Sequence, residues 1–270
     1  MDYSVIESSL GNQPIGHTVY SYRRCRSTMD VVHSLAWTHP GGTLVFAEAQ
    51  TEGRGRHQRK WVDVSGCSIA VSILLRDRLW DGGGNGIPLL SGLAVLEAIE
   101  ETHPGLHDLT LDWPNDVVHA PVNSHPRKVA GVLLEAGRDP QGSPYAVLGI
   151  GINVNHTPGQ LPPTSESRVP PISLRMVAEC KVSRRRLSVS LCRRLSIRLH
   201  RERAEGVQER IWEQSLRTLG HQVSARMPGT SDQPLVGIAE GTDEDGSLLV
   251  RDAGGCLHKL LAGEVTLSSA

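Results

Sequence analysis

Apolar runs and their interruptions divide the chain into elements before any residue's chemistry is considered. Thr43–Ala47, Ser68–Leu75, Lys128–Ala136 and Tyr145–Asn155 are nearly continuous apolar stretches bounded by turn residues, which reads as strands buried on both faces. Val19–Tyr22 adds a shorter strand, and Thr110–Val118 one interrupted by the turn-forming run Pro114-Asn115-Asp116. Helical spacing fills the intervals. Pro88–Glu101 carries Leu89, Leu93, Leu96 and Ile99 in one stripe; Arg184–Ala204 carries Leu187, Leu191, Leu195 and Leu199, with arginines on its other face. Val31, Leu35 and Trp37 follow a helix start where Ser27 or Thr28 suits the N-cap and Asp30 the first-turn dipole. Pro171–Cys180 and Glu209–Leu219 read as shorter helices. Residues 1–18, the glycine run Asp81–Gly86, the polar insert 119–127 and the five-proline segment His156–Pro171 read as loops.

The pattern changes after Gly220. His221–Ala225, Leu235–Ala239, Ser247–Arg251, Cys256–Leu260 and Glu264–Leu267 are short strands separated by turn signals such as Asp245-Gly246. Five such strands in about 50 residues predict a small barrel, and so a division into domains 1–219 and 220–270.

Composition narrows the classes. The formal net charge of the 270 residues is -1, so no global field recruits nucleic acid or membrane and electrostatic function must be local. Five scattered cysteines without a C-x-x-C argue for a reducing compartment and against a disulfide framework or a thiolate zinc site. No apolar run approaches the ~20 residues of a membrane span, and no signal-peptide core opens the chain. A cytoplasmic protein is expected, with no membrane partner. The twelve histidines form no H-E-x-x-H or comparable spacing, so they read as scattered surface or loop residues.

The candidate chemistry gathers around one loop. Gly53 to Arg59 hold three arginines and two glycines between two predicted strands. Glycine permits close backbone approach, and arginine offers a planar fork of donors to carboxylate or phosphate. Such a loop is expected to be mobile when empty and to close over an anion; a non-specific nucleic-acid segment or a solvated basic loop is the alternative. Lys128 at the head of an apolar strand either reaches solvent or meets an anion in a pocket. Asn115 and Asp116 either form a turn or bind ribose, phosphate or magnesium. Asn153 is a polar group in an apolar strand that needs a partner. If these groups converge, they can hold two anions together. At about 4 Å two like charges repel by roughly 4 kcal/mol at an effective dielectric of 20, so joining a carboxylate to a nucleotide α-phosphorus requires a cationic clamp. No Ser-His-Asp arrangement or reactive-cysteine motif is evident.

These residues, taken in order, resemble the biotin–protein ligases. The matching pieces are Ser27-Thr28, Gln50 with Gly53-Arg54-Gly55-Arg56, Arg59 with Trp61, Trp113-Pro114-Asn115-Asp116, Lys128-Val129-Ala130-Gly131, Gly149-Ile150-Gly151-Ile152-Asn153 and the C-terminal strands. The resemblance implies an α/β (α+β) catalytic domain with a mixed sheet, of the biotin/lipoate-ligase kind, followed by an SH3-like β-barrel. It implies that biotin and ATP, with Mg²⁺, give biotinyl-5′-AMP, and that a lysine of a biotin carboxyl carrier protein then takes the acyl group. By motif match Ser27, Thr28, Met29 and Gln50 bind the biotin end, and Gly53, Arg54, Gly55 and Arg56 close over the ligand. Lys128 meets the carboxylate and, with Arg56, is assigned to catalysis. Arg56, Arg59, Trp61, Asn115, Asp116, Lys128 and Asn153 hold the nucleotide side, with Asp116 also the candidate metal ligand.

Three departures accompany the resemblance. Met29 stands where the family usually has Asn, His57-Gln58 replaces a pair that often ends in Gly, and Asp112 precedes Trp113 where Lys is usual. The last puts a reversed charge beside the expected site. A helix-turn-helix domain is not expected, hence no DNA partner; a homodimer is compatible with the sequence. The rival readings are a lipoate- or octanoyl-protein ligase of the same fold and a non-catalytic biotin-sensing module.

Overall fold

A computed structural model describes residues 4–11, 13–76, 79–80, 86–163, 169–201, 210–226, 234–261 and 263–267. The buried apolar runs form one seven-stranded sheet. Its strands are β1 (Val19–Tyr22), β2 (Leu44–Ala47), β3 (Ser68–Leu75), β4 (Leu109–Asp112), β5 (Asp116–His119), β6 (Arg127–Arg138) and β7 (Pro144–Asn153), in spatial order β1-β2-β3-β7-β6-β5-β4. β1 runs parallel to β2 and the other neighbours are antiparallel, so the sheet is mixed.

Period-two alternation divides this sheet between two layers. Ile69, Val71, Ile73 and Leu75 of β3 face the larger core under α3 (Gly86–Thr102) and α5 (Arg184–Ser196). Leu74 of the same strand joins Val45 and Val147 beneath Met29 and Val32 of α2 (Thr28–Leu35) and its C-cap Ala36. The single stripe expected on α3 understates its burial: Leu90, Ala94, Val95 and Ala98 are buried as well as Leu89, Leu93 and Ile99. α3 packs against both β6 and α5, and a helix covered on two sides is apolar around most of its circumference. On α5 the leucine stripe faces inward as expected, and the helix gives way to a π-helical turn, Ile197–Arg201.

The sequence reading misses α1 (Ser4–Leu10), because Gly11, Pro14 and Gly16 suggest a loop throughout residues 1–18. Ile6 and Leu10, four residues apart, are buried in the larger core, and α1 packs against α5. Tertiary burial stabilises a helix too short to form alone. The expected helix at Pro171–Cys180 contracts to α4 (Leu174–Ala178), capped by Ser173, and that at Glu209–Leu219 to a 3₁₀ turn, Ile211–Ser215. The glycine run 81–85 and the end of the helix expected to Ala204 lie outside the described residues.

The C-terminal strands β8 (Gln222–Arg226), β9 (Leu235–Thr242), β10 (Leu248–Asp252), β11 (Leu257–Leu260) and β12 (Glu264–Leu267) form the small SH3-like unit, ordered β11-β10-β9-β8-β12. Two buried indoles attach it to the main body. Trp113 Nε1 donates to Gly246 O at 3.0 Å and Trp212 Nε1 to Thr242 Oγ1 at 3.0 Å.

Candidate active site

A row of small residues opens a cavity on the α2 side of the sheet. Across neighbouring strands Ser72 pairs with Gly149, and Gly149 with Leu133; one step along, Ala70 pairs with Gly151 and Gly151 with Gly131. A Cβ at Gly149 would lie 2.7 Å from Met29 Sδ, and one at Gly151 2.4 Å from the Trp61 ring. These glycines make room for ligand-facing side chains. The cavity has a volume of about 410 Å³.

One end is built from neutral groups. Ser27 caps α2, accepting from Met29 N at 3.3 Å, which leaves Thr28 at the first helical turn. Thr28 N and Oγ1 donate to Gln50 Oε1 at 2.8 and 3.1 Å, and Thr28 Oγ1 lies 2.7 Å from Ser72 Oγ. Gln50 Nε2 in turn donates to Asp63 Oδ2 at 2.6 Å. Ser27, Thr28, Met29, Gln50 and Ser72 all line the cavity. Ser72 and Asp63 are not among the sequence candidates; a serine inside the apolar run Ser68–Leu75 was a readable signal, whereas Asp63 carried none.

The other end is charged. β5 and β6 shift register between Val117 and Val118, and there Lys128 turns into the cavity, its Nζ 2.7 Å from Asp116 Oδ1. The contact is ionic, since Asp116 Oδ1 is buried with no aligned hydrogen bond. A Cβ at Gly131 would come within 2.9 Å of Lys128 Nζ, so the glycine makes way for the lysine stem. The backbone of Lys128 is clamped on both sides: its N–H donates to Pro170 O, and its carbonyl accepts from Ile172 N and Asn153 Nδ2. Asn115 bridges the turn to β6 through Val132 O at 2.6 Å and accepts from Arg56 Nη1 at 3.3 Å. Arg56 Nη2 donates to Gly263 O at 3.2 Å, which brings the C-terminal unit to the cavity wall. Arg56, Arg59, Trp61, Asn115, Asp116 and Asn153 line this end.

The glycine–arginine loop folds back on itself, Gly55 N donating to Arg59 O and Trp61 N to Gly53 O, both at 2.8 Å. Gly53 does not line the cavity; a Cβ there would lie 2.7 Å from Trp61 O, so it serves the loop's closure. Gly55 and Arg54 do line it. The Arg54 guanidinium meets Glu135 through two bonds of 2.9 Å and Asp30 Oδ1 through one of 2.5 Å. His33 Nε2 lies 3.0 Å from the same Glu135, and the His33 and Arg54 contacts hold that carboxyl down to about 2. The departure at His57-Gln58 has a conformational counterpart: His57 takes the left-handed region, φ 54 and ψ 37.

Asp112 is not beside the site. Its carboxylate is buried and accepts from Arg217 Nη1 at 3.2 Å, and it does not line the cavity. The charge read as a perturbation joins β4 to the segment before β8. Among the described residues no cluster of three or more His, Cys, Asp or Glu side chains makes a metal cage, and Asp116 is the one carboxylate in the cavity lining.

Comparison with known proteins agrees with this architecture. Residues 21–155 match the biotin/lipoate A/B protein ligase family and residues 218–268 the biotin protein ligase C-terminal domain. The chain is 31% identical to the biotin–[acetyl-CoA-carboxylase] ligase of Mycobacterium tuberculosis, covering 83% of this chain and 78% of that one. It is 30% identical to the bifunctional ligase/repressor BirA of Bacillus subtilis, covering 96% and 75%. A biotin protein ligase from Aquifex aeolicus, solved in complex with biotin and ATP, superposes with a TM-score of 0.75 at 27% identity over 94% of this chain and 99% of that one. With the greater part of the sheet-bearing region and the C-terminal unit both matched, the chain belongs to the biotin/lipoate A/B protein ligase family, among its biotin–protein ligases.

Proposed function

We propose that the cavity joins biotin to ATP as biotinyl-5′-AMP, releasing pyrophosphate, and passes the biotinyl group to a lysine of a carboxylase's biotin carboxyl carrier. The observation that carries this reading is the meeting of a neutral hydrogen-bonding end and a cationic end in one cavity of about 410 Å³. Ser27, Thr28, Gln50 and Ser72 suit the ureido ring, which offers one acceptor and two donors. Met29, buried over Gly149, gives an apolar surface to the ring system. Lys128 suits the biotin carboxylate: the ammonium can turn from Asp116 to an incoming acid, and Asp116 then needs another cation, which fits its assignment to magnesium.

In the first step a biotin carboxylate oxygen attacks the α-phosphorus and the bond to the β-phosphate oxygen breaks. Lys128 and Arg56 offset the mutual repulsion of the two anions and the charge that grows on the phosphoryl oxygens. Arg59, Trp61, Asn115, Asp116 and Asn153 are assigned to the nucleotide side. Asp116 would be the residue to meet a magnesium ion held mainly by the ATP phosphates and water, an ion that would offset charge on the phosphoryl oxygens. In the second step the carrier lysine's amine attacks the acyl carbon, AMP leaves, and the amine gives up a proton as the amide forms. No covalent enzyme intermediate is needed.

Two further parts of the proposal rest on local evidence. On α5 Arg184 pairs with Glu48 and Arg194 with Glu101, and just beyond the helix Arg198 pairs with Glu97; these pairs reduce the charge that this face offers to DNA. All five cysteines are free thiols, consistent with a cytoplasmic setting; among the described residues no helix is long and apolar enough to cross a membrane. The test is pyrophosphate release with biotin or lipoate as the acid, followed by mass analysis of a carrier domain. Release with biotin and a biotinylated lysine are expected; release with lipoate alone would transfer the reading to a lipoate ligase.

A further inference from the structure

Behind the cavity wall, outside the residues that line it, a single carboxylate collects the groups that set both walls. Asp63 Oδ2 accepts from Gln50 Nε2 at 2.6 Å and Oδ1 from Trp61 Nε1 at 3.2 Å. Ser68 and the Gln50 backbone also bond to it. Among the described residues no cationic side chain pairs with Asp63, and burial pushes its carboxyl above the usual range. A carboxylate on neutral donors in such a place is costly to bury.

The arrangement resolves an ambiguity that Gln50 cannot resolve alone. A glutamine amide has a donor end and an acceptor end of nearly equal size. Thr28 N–H can only donate, so it requires the Gln50 oxygen. Ionised Asp63 can only accept, so it requires the Gln50 nitrogen. Together they leave one polarity for the amide, which lines the cavity. The same carboxylate fixes the indole of Trp61, whose ring covers Gly151 and lies 6.0 Å from Lys128 Nζ.

We propose that Asp63 is a positioning residue for biotin recognition, setting the amide polarity of Gln50 and the seat of the Trp61 ring. This rests on the assignment of Gln50 to the ureido end. Asp63→Asn keeps the shape but presents a donor to at least one of these donors. Its KM for biotin is expected to rise at least tenfold, with the KM for ATP within twofold and kcat at saturating biotin within threefold. In the double variant Asp63→Asn with Gln50→Glu, the pair is complementary again but its polarity is reversed. Thermal stability should therefore return toward that of the parent, which identifies the loss in Asp63→Asn as one of hydrogen-bond pairing; the selective rise in that variant's biotin KM, with the ATP KM and kcat kept, is the readout that a merely structural role does not move. Trp61 is read separately from the difference in emission between each protein and its Trp61→Phe form, with no ligand present. Asp63→Asn should shift that difference spectrum. An unchanged biotin KM, or biotin affinity restored along with stability in the double variant, overturns the proposal. If the parent binds no biotin at all, the ureido assignment fails instead, and an unshifted Trp61 spectrum then decides against Asp63 independently.

Discussion

At one end of the cavity Gln50, Thr28 and Ser72 hold one another through bonds between neutral groups, whereas at the other Lys128 and Asp116 hold one another by charge. The neutral bonds are directional, worth about 1 kcal/mol each in net terms, and a donor replaced by an acceptor breaks them. The ion pair tolerates exchange, because any anion of similar size satisfies the ammonium. A ligase needs both kinds of contact: one end must recognise a ring that does not change during the reaction. The other must hold a carboxylate, then a phosphoryl group, then an acyl phosphate in succession. Arg54 shows a third condition. Its guanidinium is bound to two carboxylates on different elements, so it fastens the loop that carries Arg56.

The charged end depends most on Lys128. Lys128→Ala should lower adenylate formation by about 10²–10³-fold, the scale for loss of one transition-state charge donor, as read by single-turnover pyrophosphate release. Near-normal release would remove the charged end from the mechanism. At the neutral end Thr28→Val removes two side-chain hydrogen bonds of about 1 kcal/mol each. The biotin KM should rise about tenfold or more, with kcat unchanged; an equal fall in kcat would mean that the two ends are not separable.

Smaller effects test the loop's fastening. Glu135, held down to about 2 from its ordinary value of 4.5, adds stability that is complete above pH 4.5 and disappears as the pH falls toward 2. After solvent screening this amounts to ~1 kcal/mol. Glu135→Gln should flatten the acid limb of the stability–pH curve by that amount, and a parallel limb in the variant would deny the latch. The smallest effect is expected from His57→Gly. Relief of the left-handed backbone at φ 54 is worth up to ~1 kcal/mol, visible as a raised denaturant midpoint.

Residues whose signal was local were legible in the chain. Lys128 and the Asn115-Asp116 turn sit at strand ends and the Arg54–Arg56 segment in the loop between β2 and β3, and polar groups there stand out against the apolar runs. Ser72 stands inside an apolar strand, where it is legible only through the alternation that places it on the cavity face. Asp112 was misjudged for the converse reason. Next to Trp113 in sequence it looked adjacent to the site, yet strand geometry sends its carboxylate to Arg217. α1 was read as loop because its burial depends on α5, more than 170 residues away.

The positions of the strands along the chain, the cationic and hydroxyl candidates and the change of pattern near Gly220 follow from periodicity and residue chemistry, which act over a few neighbours. Tertiary structure alone decided which of these groups meet. It paired Asp116 with Lys128, gave Arg56 a carbonyl from Gly263, and set Asp63 behind both Gln50 and Trp61. The reason is that strand register and the crossing of separate segments set those distances, and neither is encoded in any short stretch of chain.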